Sequence, residues 1–469
     1  SESFHDLRVF LGNNGFEVTE VWLGDYISKD DDVRIPDVAK RMQAVLSEML
    51  ANGKLAAPFD VIVHSTGGLV VREWVSRYYP NGADRDGGRC PIKRIVMLSP
   101  ANFGSRLAAA GKSFVGRVAK GFDNWFQTGT EMLRGLELAS PYQWQLAQRD
   151  LLDAEGGGEG PYGGDKIWPF VIAGGRGYTK FFMRVANEDG ADGTVRACAA
   201  NMNCVGLTIE FSSSDGEPAV TPWRPRNGAT LFPFAILQDR DHSTVHHPME
   251  DTHAPEVQPL LGQLILEALS CDSSGRYGEI AAAWAEQTES VAALGLAEND
   301  SEREAMFTED VPPREAFHQY FQVIVAAVDD QGQPVDDYFM EFYSPEDKND
   351  DEAVYFQRSV LEHVHVNTID PHFRCLYVDR TDLMLGYYPR IQPGEPHVVA
   401  MSLSAAPIGQ NIRYFESDEE GASGHLIVHR EDEDDREAMG VRLRRNMTHL
   451  VRIVIPRQPT EGVFGLSQP

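Results

Sequence analysis

The chain has 469 residues, 71 of them acidic against 42 basic, for a formal net charge of -29. A surface this negative repels phosphate and argues against nucleic acid or an anionic membrane as the main partner. Hydrophobic residues make up 42% and charged residues 24%, a soluble globular profile with length for two or three domains. No apolar run approaches the ~18 residues of a membrane-spanning helix. The opening residues SESFHDLRVF have neither a basic start nor an apolar core, so no signal peptide is visible and a soluble protein, cytoplasmic or secreted, is expected.

Residues 1–24 predict a helix, SFHDLRVFLGNNG, ended by Asn14 and Gly15, then a strand, FEVTEVWL. Val38, Met42, Val45, Leu46, Met49 and Leu50 recur at helical spacing and predict a second helix from about Pro36 to Asn52. Next comes DVIVHSTGGLVVREW, an apolar strand running into a Ser among small residues and then into an amphipathic helix. IKRIVMLSPANFGS predicts a further strand ending in a turn. Residues 106–153 change to a long helical insertion carrying Phe114, Phe122, Trp125 and Phe126. This insertion reads equally as a lid over a cleft or as ordinary core packing. The strands KIWPFVIAGG and TLFPFAIL follow, separated by NEDGADGTVRACAANMNC, and the helix PEVQPLLGQLILEAL closes the unit near residue 270. Strands alternating with helices imply a mostly parallel sheet covered on both faces, with ligands at the carboxyl ends of the strands. Residues 271–315 read as a helical, acidic connector. From 316 to 459, seven short β-rich runs separated by turn signals suggest an antiparallel β-sandwich, followed by a tail at 460–469. Of the five cysteines, only Cys198 and Cys204 are close enough to suggest a small disulfide loop. Free buried thiols are the other reading.

The strand-Ser-helix stretch has the form of a nucleophile elbow, in which a strained turn projects the Ser65 hydroxyl into a cleft. A serine hydroxyl needs a neighbouring base, and His242 in DRDHSTV follows the last strand of the sheet. The base needs a carboxylate to fix its tautomer and stabilise the imidazolium. Asp192 in GADGTV stands at a tight turn and is favoured over Asp189 three residues earlier. Asp239 and Asp241, beside His242, read as loop charges. The order Ser65, Asp192, His242 is the α/β-hydrolase order rather than that of chymotrypsin or subtilisin. The backbone N–H of Thr66 supplies one donor to a developing oxyanion. A second normally comes from a strand and loop ahead of the first helix, and this sequence shows neither ahead of SFHDLRVF. His246, His247 and His253 with Asp251 form a His-rich cluster that Pro248 interrupts and that completes no metal-ligand spacing.

The elbow VHSTGG, the PANFGSRLA segment, the DGTV acid loop and the DHSTV histidine loop together resemble the α/β-hydrolase superfamily over about residues 1–270. Among its branches they are similar to bacterial lipases and to lecithin:cholesterol acyltransferase-like and GPI inositol-deacylase-like proteins. The resemblance implies a serine esterase acting on ester lipids, with Ser65, Asp192 and His242 at the three motif positions and no obligatory cofactor. Val63 departs from it by standing where the usual motif has Gly. The β domain is similar only in general to the β-sandwich appendages of some lipases, which implies a role in engaging lipid aggregates or a protein partner. Its acidic runs EDKNDDE and EDEDD are of a kind that binds calcium, although such runs are more often solvated loops. The competing reading is an inactive hydrolase-fold binding protein, prompted by the missing oxyanion loop and the acidic second domain.

Overall fold

A computed structural model describes residues 4–21, 31–109, 129–156, 158–178, 183–212, 218–228, 230–249, 260–296, 316–344, 350–391, 397–415, 426–430 and 443–463. In chain order the first elements are α1 (His5–Asn13), α2 (Ile35–Ala51), β1 (Phe59–His64), α3 (Gly67–Tyr78), β2 (Ile92–Leu98), α4 (Thr130–Leu136) and α5 (Pro141–Asp150). There follow β3 (Trp168–Gly174), β4 (Cys204–Glu210), β5 (Ala219–Pro222), β6 (Phe234–Leu237), α6 (Leu261–Ser270) and α7 (Ser274–Leu296). The longer strands that follow are β7 (Tyr320–Asp329), β8 (Tyr338–Tyr343), β9 (Leu361–Val366), β10 (Phe373–Asp379), β11 (Val398–Ala405), β12 (Leu426–Arg430) and β13 (Met447–Ile455).

The chain divides into two compact units, one of residues 1–204 and 224–319, the other of 205–223 and 320–469. In the first, β1, β2, β3 and β6 form a parallel sheet in that order, with Val61 beside Ile95, Val96 beside Phe170 and Ile172 beside Ala235. β3 is apolar and buried along its whole length and β2 from Ile95 to Leu98, as in a parallel sheet covered by helices. β1 is only half-buried and is an edge strand of this sheet among the described residues. The strand expected over FEVTEVWL is not found at residues 16–21, which are irregular, and residues 22–23 lie outside the described residues. α2 turns Ile35, Val38, Met42 and Leu46 inward on the predicted period, and its Gln43 accepts a 2.7 Å bond from Trp74 Nε1 of α3. Each such side chain, fully buried, contributes roughly 1.5–3 kcal/mol of transfer free energy.

α7 corrects the reading of residues 271–315 as a connector. It belongs to the first unit, where Tyr277, Ile280, Trp284 and Thr288 are buried. Tyr277 donates to the Pro169 carbonyl at 2.7 Å and Thr288 to that of Phe234 at 3.0 Å, tying the helix to the sheet. The weak amphipathic signal of AAAWAEQTES hid this, because alanines do not mark a face. All five cysteines are free, so Cys198 and Cys204 form no disulfide.

The second unit has a six-stranded sheet in the order β9-β10-β7-β13-β4-β5 and a three-stranded sheet β8-β11-β12. Their inward side chains form one cluster, including Phe321, Val325, Leu376 and Ile453 from the larger sheet and Phe342, Leu403 and Val428 from the smaller. All seven expected runs are strands, but β7 and β13 pair in parallel, so the sheet is mixed rather than purely antiparallel. The larger correction is β4 and β5. They come from within the stretch assigned to the first domain, yet Leu207, Ile209 and Phe211 bury themselves in the second unit's core.

This connectivity makes the second unit impossible to remove by cutting near residue 315. A chain of residues 1–315 leaves Leu207, Ile209 and Phe211 without their core and is expected to aggregate on size-exclusion chromatography. Replacing residues 205–223 by Gly/Ser of equal length in that shortened chain should restore a monomer peak.

Candidate active site

Ser65 lies between β1 and α3 with φ 52°, a left-handed conformation that a non-Gly residue adopts only under constraint. The constraint is visible on both sides. Its N–H donates to the Leu98 carbonyl at 3.0 Å, continuing the β1/β2 ladder, and its carbonyl accepts from Gly68 N–H at 3.0 Å, opening the helix. A Cβ on Gly68 would lie 2.6 Å from Pro100 Cβ, so the helix can approach the end of β2 only without one. Val63, the departure from the usual motif, is accommodated on the helix side: a Cβ on Gly67 would stand 3.1 Å from Val63 Cβ. Thr66 is the first residue with helical angles, φ -53° and ψ -25°, which sets its N–H at the helix N-terminus.

Behind the elbow, Arg72 of α3 makes a fully buried pair of bonds to Asp150 of α5, Nε to Oδ2 at 2.9 Å and Nη2 to Oδ1 at 3.0 Å. Burial raises Asp150 above the ordinary carboxylate range and Arg72 opposes the rise. The adjacent Glu73 is likewise buried, held by Arg77 and Arg149.

His242 and Asp192 meet directly: Nδ1 of the imidazole is 2.8 Å from Asp192 Oδ2, and the His242 N–H donates to the Asp192 carbonyl at 2.9 Å. Both side chains are almost completely buried. The other carboxylate oxygen accepts from Thr194 N–H at 2.9 Å and Val195 N–H at 2.8 Å, which fixes the carboxylate plane. Asp189 is three residues away and partly exposed. The acid loop is braced by Ser105, whose hydroxyl donates to the Thr194 carbonyl at 2.6 Å, and by Tyr178, whose oxygen is 2.6 Å from Thr194 Oγ1. Burial, with the Asp192 carboxylate nearby, pushes the Tyr178 phenol well above its ordinary value and keeps it neutral. Gly193 has φ 92° and a Cβ there would strike the Tyr178 ring at 2.5 Å, which explains the glycine of DGTV. On the histidine loop, Asp241 Oδ1 accepts from Ser243 N–H at 2.8 Å and Thr244 N–H at 2.9 Å, folding the turn that presents His242. Gly174, at the end of β3, is where the two loops come together. A Cβ there would lie 2.6 Å from the Arg240 carbonyl oxygen and 2.9 Å from Asp192 Cβ.

Gly174, Tyr178 and His64 take part in the site without a local signal in the sequence. His64, next to Ser65, is buried with its ring 4.7 Å from that of His242 and 4.7 Å from that of His246. His246 and His247, grouped earlier with His253 and Asp251 by metal-ligand chemistry, are occupied otherwise. His246 packs on Phe4 at 5.4 Å and on His247 at 4.1 Å, and His247 Nδ1 is 2.9 Å from Asp6 Oδ2. His253 and Asp251 lie outside the described residues, as do Phe114, Phe122, Trp125 and Phe126 and residues 346–349 and 431–435 of the acidic runs. Among the described residues no helix is long and apolar enough to cross a membrane.

A parallel sheet, a positive-φ serine between strand and helix, and a His–Asp pair on later strand-end loops define an α/β-hydrolase fold. No protein-family model and no curated protein matches the sequence. Among solved structures the chain is similar to phospholipase PlaB from Legionella pneumophila, with 24% identity, a TM-score of 0.76 and coverage of 99% of this chain and 93% of that one. It is also similar to the same phospholipase in complex with thio-NAD, with 24% identity, a TM-score of 0.75 and the same coverage. The likeness is one of fold and spans both units.

Two measurements check this geometry. Gly174→Ala should destabilise the protein by about 1–3 kcal/mol in chemical unfolding, as overpacking does, and should shift or abolish the downfield proton resonance of the His242–Asp192 bond. His64 is held well below the ordinary imidazole value by burial and by the facing His246 and His242. The unfolded chain therefore binds a proton at His64 below about pH 6.5 where the native chain does not, and stability falls as pH falls through that value. His64→Gln should flatten the acid side of the stability profile by at most about 1.4 kcal/mol per pH unit.

Proposed function

We propose that this chain is a carboxylic-ester hydrolase of the lipase or phospholipase type, working through Ser65, His242 and Asp192 by way of an acyl-enzyme. The observation that carries the reading is the buried 2.8 Å His242–Asp192 bond, with the His242 ring against the residue that precedes the strained Ser65. In this mechanism His242 Nε2 takes the proton of Ser65 Oγ as the oxygen attacks the ester carbonyl. Asp192 stabilises the imidazolium, and His242 returns the proton to the leaving alcohol. Water then repeats the sequence on the acyl-enzyme and releases the fatty acid. The Thr66 N–H, at the N-terminus of α3, meets the developing oxyanion.

Ester lipids are the proposed substrate class, in keeping with a fold shared with a protein described as a phospholipase. Catalysis is assigned to the first unit and engagement of lipid aggregates to the second; α5, which the sequence pattern grouped with a lid over 106–153, is core, with Trp144, Leu146 and Asp150 buried. In support, four exposed apolar side chains of the second unit, Phe339, Ile369, Ile408 and Val463, are each more than half accessible.

A fluorophosphonate probe should label the full chain at Ser65, and Ser65→Ala should abolish labelling. His242→Ala should lower kcat on phospholipid vesicles by roughly 10⁴- to 10⁶-fold, and Asp192→Asn by about 10⁴-fold. Unchanged labelling of Ser65→Ala sinks the assignment.

A further inference from the structure

The rings of His242, His64, His246 and His247 form a continuous column, with successive centroids 4.7, 4.7 and 4.1 Å apart and interplanar angles of 40°, 34° and 42°. The column begins at the proposed general base. It ends at the 2.9 Å contact of His247 Nδ1 with Asp6 Oδ2 in the first turn of α1. Phe4, one residue before that helix, closes its side against His246 and His64 at 5.4 and 6.4 Å. Three separate segments of the chain are thus stacked through their rings: the end of β1, the loop after β6 and the start of α1.

We infer that His64, His246 and His247 are positioning residues, and that the column transmits the docking of α1 to the orientation of the His242 ring. This inference rests on the esterase reading and deepens it. Proton transfer from Ser65 requires Nε2 to point at Oγ, and the Asp192 bond alone leaves the ring able to swing about the Nδ1 contact. A ring wall behind it removes that freedom. The wall is itself kept from sliding because its last member is tied to Asp6. Asp6 is bonded to the last ring of the column, three rings from His242, so a change there reaches the general base through the stack or through general stability.

The test is a double-mutant cycle between the column's two ends in the full chain, read by fluorophosphonate labelling rate and by p-nitrophenyl butyrate kinetics, with thermal unfolding followed alongside. Asp6→Asn is expected to lower kcat about three- to tenfold with KM unchanged, and His64→Ala about a hundredfold, the scale of a misplaced catalytic group. In the His64→Ala background Asp6→Asn should have no further effect, because the path between the ends is already broken. Asp6→Glu should restore kcat. Should His64→Ala not fold, His246→Ala takes its place in the cycle with the same expectation. Full additivity of the two substitutions, a KM rather than kcat effect, or wild-type kcat in Asp6→Asn overturns the column's role while leaving the esterase reading intact. A wild-type chain that neither labels nor hydrolyses overturns both.

Discussion

The site depends on one close approach. A carboxylate and an imidazole fifty residues apart in sequence meet at 2.8 Å because Gly174, at the end of β3, has no side chain to separate their loops. The hydrogen bond is short and buried. Burying a charged carboxylate is costly unless its lone pairs are met, and here Thr194 N–H, Val195 N–H and the His242 ring meet them. Gly193 and Tyr178 then set the loop's shape, and Ser105 ties it to the end of the neighbouring strand region. The carboxylate therefore arrives preorganised, with no rearrangement left to pay for when the imidazole becomes charged.

The nucleophile side follows the same logic with a different device. A serine at φ 52° stores backbone strain of about 1–3 kcal/mol, which persists only if the surroundings over-determine it. The sheet bond to Leu98 and the helix bond from Gly68 do so from either side. The α3 helix is in turn anchored by Arg72 to Asp150 and by the Glu73 cluster, charges buried where apolar residues would serve stability equally well. Breaking one partner of such a pair costs about 3–5 kcal/mol, because the other is left charged in an apolar interior. Their value lies in direction: a bidentate guanidinium fixes the axial rotation of α3, which a greasy contact does not.

Most of the first unit's pattern was legible in the sequence, because β1, α3, β2, β3 and α2 announce themselves by periodicity and turn residues, and because small residues flank Ser65 and Asp192. What escaped has identifiable physical causes. β4, CVGLTIE, has ordinary strand composition, but nothing local says which sheet it joins; that is decided by the apolar face of a unit whose strands other than β5 begin only at Tyr320. α7 was hidden because alanine and glutamine make a helix without marking its buried face. Gly174 carries no local signal of its role, since a glycine required by what approaches it looks the same in sequence as one required by a turn. His64 was overlooked because a histidine beside a nucleophile acquires meaning only when the rings stacked on it are known.

The path of the chain between acid and base has a consequence of its own. After Asp192 the chain leaves the first unit at Val205, contributes β4 and β5 to the second unit, and returns at Arg224 before forming β6 and presenting His242. The two residues of the His–Asp bond are therefore joined by a segment whose burial belongs to a different core. In a protein with the second unit attached as a simple tail, folding of the first core would be independent of it. Here the entropy of closing the loop from Asp192 to His242 includes the ordering of two strands that find their partners only when β7 and β13 are in place, so assembly of the second sheet shortens the loop the first must close. The coupling needs no direct contact between the site and the second unit, because it follows from chain connectivity alone.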